Sequence, residues 1–189
     1  MERPRQPEPV ALFIGMISPD PPLFSEAGGV LQDHFGPLSF QSPIFNWNHS
    51  RYYEEEMGRP LWRHFLFFDR LIPPETLADV KRLTNGLENR WALGGAARKR
   101  RINLDPGYVD LPKVVLASTK DFSHRIYLGR GIFAETTLIF KGGEFTSLPY
   151  TYPEFRKPAF RLMFRNVRDI LEKNRPAAGR PQRSGGLRA

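Results

Sequence analysis

Apolar residues recur along this chain in two rhythms, and the switches between them mark its elements. "VALFIGMI" (10–17) is an uninterrupted apolar run of strand length, as expected of a buried strand. "SPDPP" closes it, because proline neither donates to a ladder nor continues a helix. Residues 22–35 read as a short helix weakened by Gly28 and Gly29. "LSFQSPIF" (38–45) reads as one strand, with Pro43 marking an edge or bulge. "NWNHSRYYEEEMG" (46–58) reads as an aromatic and acidic connection with room for one helical turn, and "LWRHFLFFDRLI" (61–72) as a second long strand. From Pro74 the period becomes helical: Leu77, Val80, Leu83, Leu87 and Trp91 share a face, with Asp79, Arg82 and Asn89 between them. "LGGAA" ends that helix and "KRRINLD" (99–105) reads as a short strand.

The order strand–helix–strand–strand–helix–strand predicts an α+β fold built on a ferredoxin-like split β-α-β-β-α-β unit. A short helix is expected over 110–120, with Asp110 as its N-cap. A β-meander follows. "HRIYL" pairs with "IFAETTLIF" around "GRG", and the chain returns around Gly142-Gly143 to "EFTSL", setting Lys141 opposite Glu144 and Phe140 opposite Phe145. A C-terminal helix over about 154–174 buries Phe160, Met163, Phe164, Val167, Ile170 and Leu171. The expected organisation is a flexible N-terminal lead (1–8), a single α+β domain (9–174) and a disordered basic tail (175–189), with no internal repeat.

Composition agrees with a single core: 189 residues, 40% hydrophobic and 13% aromatic. No apolar run approaches the roughly 18–20 residues of a membrane span. "MERPRQPEPV" lacks the apolar segment of a signal peptide, and the absence of Cys removes disulfides and thiolate metal sites. A cytoplasmic protein without a membrane partner is the expectation. The net charge of +8 raises a nucleic-acid partner until it is located. Four arginines (Arg175, Arg180, Arg183, Arg188) sit in the tail and four cations (Arg98, Lys99, Arg100, Arg101) sit in one cluster, leaving the rest near balance. Such a distribution permits weak, salt-sensitive binding to polyanions. On the closing helix, Lys157, Arg161, Arg165 and Arg168 share a face with Asp169 and Glu172 four residues beyond the last two, the pattern of a solvated, internally paired surface.

Candidate chemistry concentrates in residues 101–135. In "NLDPGY", a type II turn accounts for Asp105, Pro106 and Gly107, since Pro106 extends the residue before it and Gly107 tolerates positive φ. A turn alone leaves Asn103 and Tyr108 unexplained, and a site lip explains them. In the hairpin, a three-residue loop (129–131) sets Arg125 opposite Glu135, whereas a two-residue loop (129–130) sets His124 there. An exposed pair of this kind contributes under about 1 kcal/mol. In a cleft, Glu135 would instead tune His124 as a general base. Lys120 either answers a helix C-terminus or joins His124 and Arg125 in receiving a phosphate or carboxylate. The candidates are therefore His124, Glu135 and Asp105 for catalysis, and Asn103, Tyr108, Lys120 and Arg125 for ligand binding. No metal site is expected: His34, His49, His64 and His124 are scattered, no HExxH or EF-hand spacing occurs, and Asp20 and Asp105 are expected at opposite ends of the sheet. No GxxxxGK[ST], no GxGxxG after a strand and no GxSxG is present, and "STKD" (118–121) only faintly resembles a guanine-reading element. "YYEEEMG" (52–58) fits either a ligand lid or a helical cap.

"FIGMISPDPPLF", "YYEEEMG", "TNGLE", "RINLDPGY", "STKDFSHRIYLGRGIFAETTL" and "TYPEFR" occur in that order. Together they resemble the bacterial domain-of-unknown-function family 4416 over about residues 9–170. The resemblance implies a compact bacterial cytoplasmic domain. Some relatives carry the label "GTP-binding protein", whereas this chain has no P-loop, and no catalytic residues carry over. The functional expectation is a domain that grips a phosphorylated ligand, a nucleotide such as GTP among them, at the His/Arg/Lys/Asp patch. Two alternatives remain: an RNA- or ribosome-associated accessory protein using Arg98–Arg101 and the tail, and a partner-binding domain with no small ligand.

Overall fold

A computed structural model describes residues 3–48, 51–93 and 99–175; Arg98, His49 and the tail beyond Arg175 lie outside it. Its centre is β1 (Val10–Ser18), in which every residue is buried. That burial explains the uninterrupted apolar run. β4 (Leu61–Ile72) flanks it on one side and β5 (Asn103–Val109) on the other, both antiparallel. With β2 (Leu38–Gln41), β6 (Lys113–Ser118), β7 (Ile126–Gly129) and β8 (Ile132–Lys141), the sheet runs β2-β4-β1-β5-β6-β8-β7. β3 (Phe45–Trp47) adds to β4 and β9 (Glu144–Ser147) to β8, making nine strands among the described residues. The fold is α+β with an antiparallel sheet.

Two expectations about elements are corrected. Residues 38–45 form no single strand. Pro43 interrupts the run, and β2 and β3 pair separately with β4 on either side of it. Ser42 holds the junction, its N–H donating to Phe65 O and its Oγ accepting from Phe65 N, both at 2.9 Å. The helix expected over 110–120 is absent. Asp110 sits in the tight turn into β6, where its N–H donates to Lys113 O at 2.8 Å and its carboxylate accepts from Leu111 N at 2.8 Å. Val114 and Val115 are β-branched, and an open strand position between β5 and β8 outweighs the weak capping signal.

α1 (Pro22–Phe35) and α3 (Leu77–Glu88) cover one face of the sheet. There Leu23, Phe24, Ala27, Leu31 and Val80 meet Leu12, Ile14, Met16, Leu66 and Leu104. α4 (Pro158–Asn174), entered through a 3₁₀ turn at Pro153–Arg156, covers the other face. Phe160, Met163, Phe164, Val167 and Leu171 pack onto Phe13, Phe65 and Phe67. Each contributes roughly 1.5–3 kcal/mol of apolar burial. Ile170, expected in this stripe, is exposed. α2 (Arg51–Met57) lies over one end of the sheet, with Tyr53 and Met57 against Ile17, Trp47 and Leu61. Arg175 is anchored to the domain, donating to Pro9 O and Asp110. No helix among the described residues is long and apolar enough to cross a membrane.

A candidate ligand cavity where the sheet divides

"NLDPGY" is no turn. It is the body of β5, and none of its residues takes positive φ. The ladder between β5 and β6 runs from Val109↔Val114 through Tyr108↔Val115 to Gly107↔Leu116 and stops. Beyond that point β5 pairs only with β1, and Ala117 and Ser118 pair only with β8. Pro106 offers no N–H with which to continue the ladder toward Ala117. At Gly107 there is no room for a side chain: a Cβ there would sit 2.4 Å from Val115 O and 2.5 Å from Phe13 Cζ. The pair thus pinches the strands together at Gly107 and releases them at Pro106.

A cavity of about 300 Å³ occupies the resulting gap. Side chains from both faces of the sheet reach it: Lys81, Asn85 and Glu88 from α3, and Tyr152, Pro153, Glu154 and Phe155 from the segment leading into α4. Strand ends supply Arg63, Asn103, Asp105, Ser118 and Glu135, and α2 supplies Tyr53. Asp105 is the hub. It receives Asn103 Nδ2 at 2.7 Å, Arg63 NH1 at 3.3 Å and Lys81 Nζ at 3.4 Å. Burial pushes the Asp105 carboxyl up, but Lys81, Arg63 and Asn103 outweigh it and hold it below the ordinary range. Arg63 is fully buried and also reaches Glu154 at 3.3 Å, and its Nε finds no partner among the described residues.

A second knot lies beside it. Glu88 accepts Leu104 N at 2.7 Å and Arg100 NH1 at 3.1 Å, while Arg100 forks onto Glu56 at 2.7 and 2.6 Å. Burial raises the Glu88 carboxyl above its ordinary value, against the pull of Lys81, Leu104 N–H and Arg100. Glu56 shifts down because Arg100 hydrogen-bonds it. Burial likewise raises the phenols of Tyr53 and Tyr152, so both remain protonated donors at neutral pH.

At the mouth, Ile126 pairs with Ala134, so Arg125 falls opposite Glu135. Glu135, 2% exposed, accepts Arg125 Nε at 2.8 Å, His124 Nε2 at 3.1 Å and Thr137 Oγ1 at 3.2 Å. Arg125 also donates to Ser118 Oγ, Lys120 O and the Tyr152 hydroxyl.

Of the residues expected from sequence, Asn103, Asp105, Lys120, Arg125 and Glu135 all line the cavity. His124 and Tyr108 do not. His124 approaches Glu135 from outside and stacks on Tyr150 with ring centroids 4.2 Å apart. Tyr108 points to the opposite face of β5, toward α3, where it packs with Leu77 and Val115. Strand alternation sends it there once residues 103–109 are read as a strand. Asp20 and Asp105 share one end of the sheet, because Asp105 begins β5 instead of ending a strand. Asp20 is paired with Arg101 and stands off the cavity wall. The expected basic cluster is divided: Arg100 turns inward to Glu56 and Glu88, and Arg101 to Asp20.

Sequence reasoning missed Arg63, Lys81, Glu88 and Glu154. A signal existed for the first three. Arg63 is the one charge among the first eight residues of an apolar strand, and Lys81 stands four positions after Leu77 and Glu88 seven after Lys81, on a helix face that must turn inward. Among the described residues no group of three or more His, Asp or Glu side chains is placed to hold a metal ion.

The chain belongs to the DUF4416 family, a domain of unknown function, whose profile matches residues 8–171. No curated relative and no solved structure matches it.

Proposed function

We propose that the cavity binds a small phosphorylated ligand of the nucleotide class, with its anion at Lys120, Arg125 and the hydroxyl of Ser118. The supporting observation is convergence: five cationic side chains, from β4, α3, the segment before β5 and the stretch between β6 and β7, reach one hollow of about 300 Å³. That volume is at the lower end of the roughly 300–1,000 Å³ typical of ligand sites. Tyr53 and Tyr152 offer ring faces and phenol donors on the same wall, suited to a base or sugar. Asp105 and Glu135 are oriented acceptors for the ligand's N–H or O–H groups. We also read β1-α1-β2-β4-α3-β5, whose strands lie in the order β2-β4-β1-β5, as the ferredoxin-like split unit expected from sequence.

The RNA-associated alternative has less support, since Arg100 and Arg101 already hold internal carboxylates. A partner-binding domain without a ligand leaves a polar cavity between divided strands without a purpose. Thermal unfolding with GTP, ATP, nucleoside monophosphates and cyclic nucleotides tests the proposal. A ligand at a hundred times its Kd adds about 2.7 kcal/mol, and Lys120→Ala is expected to shrink that gain. No stabilisation by any of these compounds would overturn the reading.

A further inference from the structure

Arg125 lines the cavity, yet its own hydrogen bonds leave it little to offer a ligand. Its Nε donates to Glu135 at 2.8 Å, its NH1 to Ser118 Oγ at 2.6 Å and Lys120 O at 2.9 Å, and its NH2 to the Tyr152 hydroxyl at 3.0 Å. Four of the five N–H groups of the guanidinium are thereby engaged. No two neighbouring N–H groups remain for the two-point grip by which a guanidinium holds a phosphate. The Phe122 ring, 4.7 Å from its Cζ, covers one face, and the side chain is 2% exposed.

The same bonds fix the direction of two hydroxyl hydrogens. Ser118 Oγ accepts from Arg125 NH1 and also from Lys120 N at 3.1 Å. With both lone pairs occupied, this oxygen acts toward the cavity only as a donor. The Tyr152 oxygen accepts from NH2 of the same guanidinium, so its hydrogen points away from Arg125. Neither hydrogen meets an acceptor among the described residues. A hydroxyl that accepts from a cation is polarised and donates more strongly. One side chain therefore prepares two donors from separate elements, one at the end of β6 and one just before the 3₁₀ turn into α4.

We infer that Ser118 and Tyr152 are the hydroxyl donors that touch the ligand's anionic oxygen, and that Arg125 positions and polarises them without gripping the ligand itself. The inference rests on the anion site proposed above and reassigns Arg125 within it. A ligand N–H finds no lone pair at Ser118, so the position takes an acceptor oxygen, as a phosphoryl group presents, and turns away an amine or amide donor.

Isothermal titration with inorganic phosphate, GTP, ATP, nucleoside monophosphates and cyclic nucleotides tests this, the variants being titrated with whichever probe wild type binds most tightly. Ser118→Ala and Tyr152→Phe each remove one hydroxyl and are expected to weaken binding about tenfold, the loss of a hydrogen bond to a charged oxygen. Arg125→Lys keeps the charge but not the fork, and should weaken binding about as much as the two hydroxyl variants combined. In the Ser118→Ala/Tyr152→Phe background the same substitution should cost less than about twofold, because the groups through which it acts are gone. A side chain that only braced the fold, or that touched the anion directly, would cost as much there as in wild type, and that result overturns the positioning role. Wild-type affinity in either single hydroxyl variant overturns the donor pair, and these two variants decide alone if Arg125→Lys fails to fold. Both of those results leave the cavity reading standing. Binding of none of the probes by wild type would remove both.

Discussion

Arg63→Met tests the electrostatic design of the cavity most directly. Arg63 is 1% exposed, and a single guanidinium serves two carboxylates, reaching Asp105 and Glu154 at 3.3 Å each. It lies 4.6 Å over the Phe65 ring, and the neighbouring strand leaves room for it with Gly15, where a Cβ would stand 2.7 Å from its NH2. Methionine keeps the length of the apolar stem, so little of the loss comes from packing. What is lost is the cation between two carboxylates, and removing one partner from a buried pair costs about 3–5 kcal/mol. At about 2–4 °C per kcal/mol for a chain of this size, the midpoint falls by roughly 6–20 °C. The pH dependence carries the sharper signature. Asp105 is held below its ordinary pKa, so its contribution is present above the unfolded value of about 3.9 and is lost as pH falls through the lowered one. In the variant Lys81 and Asn103 oppose burial alone, so wild type and variant differ most at neutral pH and converge below about pH 4. Urea denaturation followed by circular dichroism at pH 7 and at about pH 3, below the unfolded value, reads both quantities. Glu154→Gln in the Arg63→Met background should recover part of the loss by removing one uncompensated charge. A loss below about 1 kcal/mol that stays equal at the two pH values would refute the claim that these carboxylates depend on Arg63.

Three other outcomes follow from the same geometry. Gly107→Ala drives a methyl into Val115 O, a backbone atom that cannot swing aside, and should cost about 1–3 kcal/mol or more in thermal unfolding; wild-type stability would show that the strands are not pinched there. Glu135→Ala strands Arg125 and Thr137 and should cost about 3–5 kcal/mol by urea titration, with Glu135→Gln milder because it keeps an acceptor. Glu88 runs opposite to Asp105: its raised pKa means a contribution that is full below the unfolded value of about 4.3 and declines as pH rises through the folded value, so Glu88→Gln should flatten that slope in stability measured against pH.

Much of the fold is legible along the chain because local and tertiary preferences agree. The uninterrupted run at 10–17 is a strand buried on both faces, the helical spacing from Leu77 is a helix, and Gly142-Gly143 sets Lys141 opposite Glu144 and Phe140 opposite Phe145 as the hairpin arithmetic requires. The cavity is only half legible. Asp105, Lys120, Arg125 and Glu135 cluster within about thirty residues and carry obvious chemistry. Their partners Arg63 and Lys81 come from elements whose local reading is apolar strand or amphipathic helix.

Pro106-Gly107 shows why local rules misled. Proline followed by glycine is a strong turn signal in an isolated peptide, because φ is preset at the first and unrestricted at the second. Neither property is used that way here. β1 claims residues 103–109 as a strand along their whole length, and the dipeptide acts on the other edge. There the absent Cβ of Gly107 lets β6 come close, and the absent N–H of Pro106 accompanies its departure. The same gap resolves the polarity of α3. Lys81 and Glu88, 5% exposed each, would be liabilities against a continuous sheet, where every backbone group is already bonded. Against divided strands they find Leu104 O and Leu104 N–H respectively, and so face the hollow without being orphaned. The buried charges and the break in the ladder are therefore one feature: neither is stable without the other, and together they hold a polar cavity open in the middle of an otherwise apolar sheet.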